Sequence, residues 1–233
     1  MAHGSRSNRH GSTPPRDAIS ELTTERLSIY LRCLNYLESI PQSTVSSQEL
    51  AKRFHLNSAQ IRKDLANFGE FGIRGVGYNV ALLKERLQKT LGIDRSRRVV
   101  IAGAGNLGMA LADYRGFSTG GFDVVALMDS DPAKVGRTSK SGIPVIPPTE
   151  LPRIAKAESI DIGILAVPAE QAQDVYDAMV DAGIRAVLNF APVRINPHGN
   201  VKLKSVDLRI NLESLSFWLK NCDEGDCGEE TEE

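Results

Sequence analysis

Long apolar runs are missing from this sequence of 233 residues. A transmembrane helix needs about 18 or more consecutive apolar residues, and no segment approaches that length. The beginning of the sequence, MAHGSRSNRHGSTPPRD, is polar and has no apolar signal core. We therefore expect a cytoplasmic protein without a membrane partner, and we expect residues 1–21 to form a disordered tail.

Cysteine and histidine are scarce, with three and four residues respectively. Three cysteines do not form a disulfide framework, and two of them, Cys222 and Cys227, lie in an acidic tail over residues 221–233. A structural zinc site needs about four Cys or His ligands. We therefore expect no metal, and we assign the acidic tail no role.

A strong net charge of one sign is also missing, because the formal net charge is −1. The distribution of the charge is nevertheless uneven. Residues 46–92 contain eight Lys or Arg residues and only four Asp or Glu residues. A basic segment in a nearly neutral chain indicates a polyanionic partner for that segment.

Helical periodicity predicts three helices in the first part of the chain. Apolar residues at helical spacing predict one helix before Pro41. A second, short helix begins at Ser46, whose spacing to Glu49 is that of a capping box. A third helix, SAQIRKDLANFG, is capped by Asn57 and closed by Gly69. The tight turn between the second and third helices is typical of a helix-turn-helix.

The third helix and the segment after it carry the predicted DNA contacts. The polar residues of the helix that can reach base edges and phosphates are Ser58, Gln60, Arg62 and Lys63. The following segment, EFGIRGVGYNV, predicts a β-hairpin with Arg74 at its tip and Tyr78 beside it. An arginine at such a tip can enter the minor groove, so residues 22–92 are predicted to be a winged-helix domain. Amphipathic helices with basic surfaces also occur in proteins that never bind nucleic acid, and that interpretation stays open.

A glycine motif follows a predicted buried strand over residues 98–102. Its residues are Gly103, Ala104, Gly105, Asn106, Leu107 and Gly108. In a dinucleotide-binding turn the first glycine permits the turn, the second lets the backbone approach the pyrophosphate, and the third lets the helix pack closely. The first N–H groups of the next helix, predicted over residues 106–114, then face the phosphates.

Asp129 ends the next predicted strand, which is the second strand of this half of the chain. A carboxylate in this position binds the hydroxyl groups of the adenosine ribose and repels a 2′-phosphate. The pattern therefore predicts NADH and NAD⁺ as ligands in preference to NADP(H). Lys134 and Arg137 weaken this preference, because either cation can approach a phosphate.

Alternating strands and helices continue to about Asp207 and predict a doubly wound parallel sheet in an α/β protein. Ligands bind at the carboxyl ends of such strands. The residues predicted at those ends, on the nicotinamide side, are Val167, Pro168, Asn189 and Phe190. Ordinary transitions from strand to loop explain these residues equally well. Residues 93–207 are predicted to form this Rossmann domain.

Groups for hydride transfer are missing from the second half of the chain. Hydride transfer usually needs an acid or base beside the nicotinamide, but the one histidine after the motif, His198, lies in a turn of the kind found on surfaces. No Tyr-x-x-x-Lys follows the motif, and little chain is left for a substrate domain. The last predicted helix, residues 208–220, is apolar on more than one side, and we expect it to be buried against another subunit. A DNA-binding domain joined to a non-catalytic dinucleotide site indicates a sensor and not an enzyme.

Several longer segments resemble one family. SAQIRKDLANFGEFGIRGVGY, GAGNLGMALADYRGF, DSDPAKVGR, AVPAEQAQ and LNFAPV occur in this order and together resemble the Rex redox-sensing transcriptional repressors. The resemblance implies a homodimer with a domain-swapped C-terminal helix. It implies that the dimer binds a palindromic operator in double-stranded DNA when NADH is scarce. It further implies that NADH closes the dimer and releases the DNA, which controls genes of respiration or fermentation.

The resemblance also implies a network that couples the cofactor to the DNA-binding domain through an arginine, a tyrosine and an aspartate. The equivalent residues here are Arg32, Tyr114 and Asp207. An Arg–Asp pair can form in one dimer geometry and break in the other. Two other function classes stay open: a small oxidoreductase whose N-terminal domain only dimerises, and a scaffold that binds CoA or a nucleotide, against which Asp129 argues.

Overall fold

The structure is a computed structural model that describes residues 20–40, 42–69, 72–73 and 75–223. The described residues form two compact units, divided between Arg95 and Ser96. Arg74, the predicted wing tip, lies outside the described residues, as do the predicted tails apart from residues 20–21 and 221–223.

The first unit is a small helical domain with a short antiparallel sheet. Its elements are α1 (Glu21–Glu38), β1 (Thr44–Val45), α2 (Ser47–Phe54), α3 (Ser58–Ala66), β2 (Gly72–Ile73), β3 (Gly77–Asn79) and α4 (Val80–Leu91). The strand order is β1-β3-β2, with Val45 opposite Tyr78 and Ile73 opposite Gly77. Helices α2 and α3 form a helix-turn-helix, and strands β2 and β3 form the hairpin that follows it. This arrangement is the predicted winged helix.

Local hydrogen bonds explain where α2 and α3 begin. The Ser46 hydroxyl accepts the N–H of Glu49 at 3.0 Å, which is one half of the predicted capping box. The Glu49 carboxylate accepts a hydrogen bond from Gln42 and does not complete the other half. The Asn57 side chain accepts the N–H of Gln60 at 3.0 Å. Between the helices, His55 has a φ of 52°, which makes the turn tight.

A buried carboxylate ties α3 to α1 in this unit. Asp64 is 1% exposed, and its two oxygens accept hydrogen bonds from the Arg26 guanidinium at 2.6 and 2.8 Å. Tyr30 donates to the same carboxylate at 2.9 Å and Gln60 at 2.7 Å. Burial raises the pKa of Asp64, but the hydrogen bonds from Arg26, Gln60 and Tyr30 lower it further, so the net pKa lies below its usual value. The carboxylate is therefore held ionised in the interior.

The second unit contains a six-stranded, fully parallel sheet with the order β6-β5-β4-β7-β8-β9. Its strands are β4 (Arg97–Ala102), β5 (Phe122–Met128), β6 (Val145–Ile146), β7 (Ile162–Leu165), β8 (Ala186–Asn189) and β9 (Lys202–Ser205). Its helices are α5 (Asn106–Ala112), α6 (Arg115–Thr119), α7 (Leu151–Ala157), α8 (Ala169–Asp181) and α9 (Leu208–Asp223). The predicted doubly wound α/β fold is confirmed.

Residues of β4 alternate between two apolar layers, one on each face of the sheet. Val100 and Ala102 pack with residues of α7 and α8, such as Leu151 and Tyr176. Val99 and Ile101 pack with the layer that contains Ala112 of α5. Burial on both faces explains why this strand is a continuous apolar run in the sequence.

One predicted helix is two residues shorter in the structure. The sequence predicted a helix over residues 106–114, but α5 ends at Ala112 and α6 begins at Arg115. The Asp113 side chain turns away and accepts the backbone N–H of Ser141 at 2.8 Å. Tyr114 then takes an extended conformation with ψ of 106°, so the helix cannot continue.

Helix α9 forms where the sequence predicted a helix, but its apolar side chains are exposed in this single chain. Phe217 is 69% exposed and Trp218 is 58% exposed. Burial of this helix against another subunit therefore stays a prediction. Among the described residues, no helix is both long enough and apolar enough to cross a membrane.

We predict that Asp64→Asn lowers the free energy of unfolding by about 3 kcal/mol at pH 7, because it leaves Arg26 without its buried partner. A folded-state pKa below the usual value means that the stabilisation is present above about pH 4 and is lost as the pH falls below it. Urea denaturation of both proteins at pH 7 and pH 3.5 measures this difference, which should shrink at the lower pH. Asp94→Asn, a change at an exposed carboxylate of the same unit, is the control, and equal losses in both variants would contradict the prediction.

Candidate dinucleotide site and nucleic-acid interface

The turn between β4 and α5 has no space for side chains at two of its glycines. Gly103 has a φ of +101°, and a Cβ there would lie 2.3 Å from the carbonyl oxygen of Ala166. A Cβ on Gly108 would lie 1.7 Å from the carbonyl oxygen of Gly103. These two glycines therefore permit the turn and the close packing of α5. An added Cβ at Gly105 would meet nothing within 4 Å, so the backbone there is open to a ligand.

A cavity of about 660 Å³ lies beside this turn, at the carboxyl ends of the parallel strands. It is of the size expected for a small-molecule or cofactor site. Its lining comes from the glycine turn, from the loop after β5, and from the start of α8. The lining residues are Ala102, Gly103, Gly105, Asn106, Leu107, Met128, Asp129, Ser130, Asp131, Lys134, Pro148, Ala166, Val167, Pro168, Gln171, Asp174 and Val175.

Most of the predicted cofactor residues lie at this cavity, but Ala104, Gly108, Asn189 and Phe190 are not among its lining residues. The N–H of Ala104 donates to Asp129 at 2.8 Å, so it is already bonded. Asn189 is 1% exposed, and its amide donates to the carbonyl oxygen of Val193 at 3.0 Å. The side chain of Asn189 therefore holds the loop after β8.

Asp129 is the most densely hydrogen-bonded acidic group of the cavity. Its Oδ2 accepts the Ala104 N–H and the Lys134 ammonium at 2.8 and 2.9 Å, and its Oδ1 accepts the Asp131 N–H at 2.9 Å. Burial raises the pKa of Asp129, but these bonds lower it below its usual value. The same ion pair raises the pKa of Lys134. An ionised carboxylate is thus fixed beside the glycine turn, where it can accept hydrogen bonds from hydroxyl groups.

The start of α8 contributes cavity residues that the sequence did not single out. Gln171 lies one helical turn before the adjacent residues Asp174 and Val175, and all three line the cavity. The only signal for them was their position directly after Val167 and Pro168. His198 is not among the residues that line the cavity. Its Nε2 lies 2.8 Å from Oδ1 of Asp177.

The residues predicted to contact DNA differ in how free their side chains are. Arg62 and Lys63 are exposed on α3, and the Arg62 guanidinium donates to the Ser47 hydroxyl at 3.0 Å. Gln60 is bonded to Asp64, and Ser58 is half-buried. The exposed cations therefore remain the side chains best able to reach DNA.

A second cavity, of about 480 Å³, lies between the start of α2, Arg62 and the wing. Ser46, Ser47 and Gln48 contribute to its lining, and none of the three was predicted to contact a ligand. Tyr78 also lines it and is half-buried. Burial raises the pKa of Tyr78, and the nearby charge of Arg62 opposes that shift.

The three predicted coupling residues lie on separate elements. Arg32 is exposed on α1 of the first unit. Tyr114 is 59% exposed in the second unit, and its ring meets that of Phe117 edge to face at 5.3 Å. The Asp207 side chain accepts the N–H of Arg209 at 2.9 Å, at the start of α9.

No group of three or more His, Cys, Asp or Glu residues that could hold a metal ion occurs within the described ranges.

Two family models match the chain. The model described as "CoA binding domain" matches residues 94–193, and the model described as "Putative DNA-binding protein N-terminus" matches residues 18–66.

Solved structures with a similar fold include two of RSP. The crystal structure of RSP in complex with β-NAD⁺ and operator DNA has a TM-score of 0.83 and 35% identity, covering 90% of this chain and 99% of that one. The structure of RSP in complex with β-NADH has a TM-score of 0.77 and 35% identity, covering 89% and 96%.

Curated relatives match over most of their length. The redox-sensing transcriptional repressor Rex of Desulfitobacterium hafniense is 45% identical over 199 residues, which cover 85% of this chain and 94% of that protein. Rex of Pelotomaculum thermopropionicum is 47% identical over 201 residues, covering 86% and 94%. Rex of Streptomyces coelicolor is 45% identical over 199 residues, covering 85% and 77%. Identity at this level along both units shows that the chain belongs to the Rex family of redox-sensing transcriptional repressors.

Proposed function

We propose that this protein is a cytoplasmic repressor that binds palindromic operator DNA as a homodimer and releases it when NADH binds. The observation that carries the proposal is the occurrence, in one chain, of a winged helix with exposed cations and a cofactor-sized cavity at a glycine turn. The similarity to RSP, crystallised with β-NAD⁺ and operator DNA and with β-NADH, supports both ligands.

The proposed division of labour follows the two units. Residues 22–92 bind DNA, residues 93–207 bind the dinucleotide, and residues 208–220 are exchanged between subunits as a domain-swapped helix. The exposed apolar side chains of α9 support this exchange, because a monomer rarely leaves so much contiguous apolar surface in water. We assign no role to the tails, residues 1–21 and 221–233.

In the dinucleotide site, each part of the cofactor has a proposed partner. The pyrophosphate lies against the open backbone at Gly105 and the first N–H groups of α5, which have no partner within the helix. The hydroxyl groups of the adenosine ribose donate to Asp129. The nicotinamide lies toward Val167 and Pro168, with Phe190 near the same edge of the sheet.

The remaining residues of the glycine motif and of β8 mainly stabilise the structure of the site. Ala104 positions Asp129 through its N–H, and Gly108 keeps α5 close to the turn. Asn106 and Leu107, both exposed, lie on the phosphate side of the cavity. Asn189 holds the loop that follows Phe190.

In the DNA-binding domain, α3 enters the major groove and the wing enters the minor groove. Arg62 and Lys63 bind phosphates or base edges, with Ser58 and Gln60 beside them. Tyr78 contacts the sugar-phosphate backbone of the DNA from the wing. Arg74, outside the described residues, enters the minor groove.

The proposed signal is a change in dimer geometry rather than a reaction. Arg32, Tyr114 and Asp207 form a contact between subunits in one geometry and lose it in the other, as an Arg–Asp pair can. NADH binds one geometry better and shifts the population of dimers toward it. No hydride needs to be transferred for this response.

A CoA-type ligand is the second candidate, favoured by the match of residues 94–193 to the model described as "CoA binding domain". Asp129 argues weakly against it, because its carboxylate repels the phosphate that CoA carries on its adenosine ribose, while the paired Lys134 ammonium offsets part of that repulsion. Displacement of NADH by CoA at equal concentration would favour this candidate.

We predict that NADH lowers the affinity for operator DNA by about 5- to 150-fold, the usual range of coupling between two sites. The measurement is fluorescence anisotropy of a labelled palindromic duplex, selected with this protein from a random pool. NAD⁺ at the same concentration is the control and should release far less DNA. Equal affinity with and without NADH would contradict the proposed function.

We predict that Asp129→Ala weakens NADH binding by about 10- to 100-fold, because ribose hydroxyls lose a charged acceptor. Titration of NADH fluorescence measures the dissociation constant. Asp181→Ala, at an exposed carboxylate of α8 away from the cavity, should leave it unchanged. An unchanged constant in Asp129→Ala would remove the ribose assignment.

We predict that Lys63→Ala weakens operator binding and lowers the slope of log affinity against log salt by about 1, as expected for one lost phosphate contact. Arg74→Ala should weaken operator binding as well. Lys89→Ala, on α4, where the ammonium pairs with Glu85, is the control outside the proposed DNA face. Binding that is unchanged in both Lys63→Ala and Arg74→Ala would show that this face does not bind DNA.

A further inference from the structure

Lys134 lies inside the dinucleotide cavity and forms an ion pair with the residue proposed to bind the ribose. Its ammonium nitrogen is 2.9 Å from Oδ2 of Asp129. The Asp129 side chain is 10% exposed and that of Lys134 is 36% exposed. The pair therefore faces the cavity with its cation on the more open side.

Local hydrogen bonds in the loop after β5 position the two residues of this ion pair. The side chain of Asp129 accepts the N–H of Asp131 at 2.9 Å, and the side chain of Asp131 accepts the N–H of Ala133, also at 2.9 Å. The N–H of Lys134 then bonds to the carbonyl oxygen of Asp131 at 2.9 Å. These short-range bonds fold the chain back and place Lys134 beside Asp129.

This arrangement changes the charge that a ligand meets. A lone carboxylate accepts the two ribose hydroxyls of NADH and repels the 2′-phosphate of NADPH. Here the carboxylate is neutralised by an ammonium group that can also bind phosphate. Asp131 is a further acidic group in the lining, so the cation at Lys134 is the attractive group for a phosphate at this end of the cavity.

We propose that Lys134 is a specificity-determining residue, whose ammonium group offsets the repulsion by Asp129 and lets the site accept a 2′-phosphorylated dinucleotide as a weaker ligand. The inference rests on the proposed function, because it takes the cavity to be the dinucleotide site. Lys134 thereby sets how strongly the protein distinguishes NADH from NADPH.

The test is a pair of fluorescence titrations, with NADH and with NADPH, on the full-length protein and three variants. Lys134→Met removes the charge and keeps much of the side-chain length. Lys134→Arg keeps the charge. Arg137→Met removes an equal charge three residues later, at an exposed side chain that does not line the cavity.

The expected result is that Lys134→Met weakens NADPH binding by about tenfold or more, while NADH binding changes by less than about threefold. Lys134→Arg should keep the wild-type ratio of the two affinities, and so should Arg137→Met. The loss of NADPH binding should be smaller at high salt, where the attraction between ammonium and phosphate is screened.

Three results would overturn the inference alone. Equal weakening of both ligands in Lys134→Met would show that Lys134 only positions Asp129, and an equal effect in Arg137→Met would show a long-range effect of net charge. A wild-type protein that binds NADPH no better than Lys134→Met, while binding NADH, would also overturn it. Failure of the wild-type protein to bind NADH at all would overturn the proposed cofactor together with this inference.

Discussion

The hydrogen bond from the Ala104 N–H to Asp129 connects the glycine turn to the end of the neighbouring strand. The turn itself depends on two glycines, because Gly103 has a positive φ and packs against the carbonyl oxygen of Ala166, and Gly108 packs against the carbonyl oxygen of Gly103. The cavity lies between these parts, so its shape depends on this contact. The Asp129 carboxylate also binds Lys134. This ion pair changes the charge that a ligand meets.

A second buried carboxylate plays the corresponding part in the DNA-binding domain. Asp64 receives hydrogen bonds from Arg26, Tyr30 and Gln60, and these bonds fix the orientation of α3 on α1. Since Asp64 and the apolar residues of α3 face inward, Arg62 and Lys63 face outward. A change that frees Asp64 would therefore affect the face proposed to bind DNA without altering its residues. In each unit, one interior acid positions the surface that we propose to bind a ligand.

The sequence alone predicted the glycine turn and most of the helices and strands, because these depend on neighbouring residues, but it did not predict β1, α4 or α6. Apolar spacing, the cap at Asn57 and the alternation of strands and helices each involve a few positions along the chain. The roles of Gly103 and Gly108 followed from the spacing of the motif, since a tight turn and a close helix need glycine wherever they occur. The helix predicted over residues 106–114 was wrong at its C-terminal end, because the Asp113 side chain accepts a hydrogen bond from Ser141, which is distant in the sequence.

Tertiary structure decided which of the polar residues remain available. Gln60 looked free to contact bases, but its amide bonds to Asp64, and Asn189 looked like a ligand residue, but its amide bonds to the backbone of its own loop. The sequence identified Asp129 as the acid of the site and noted Lys134 as a nearby cation. Only the folded loop showed the two in contact, because side-chain hydrogen bonds form according to distance in space and not according to residue type.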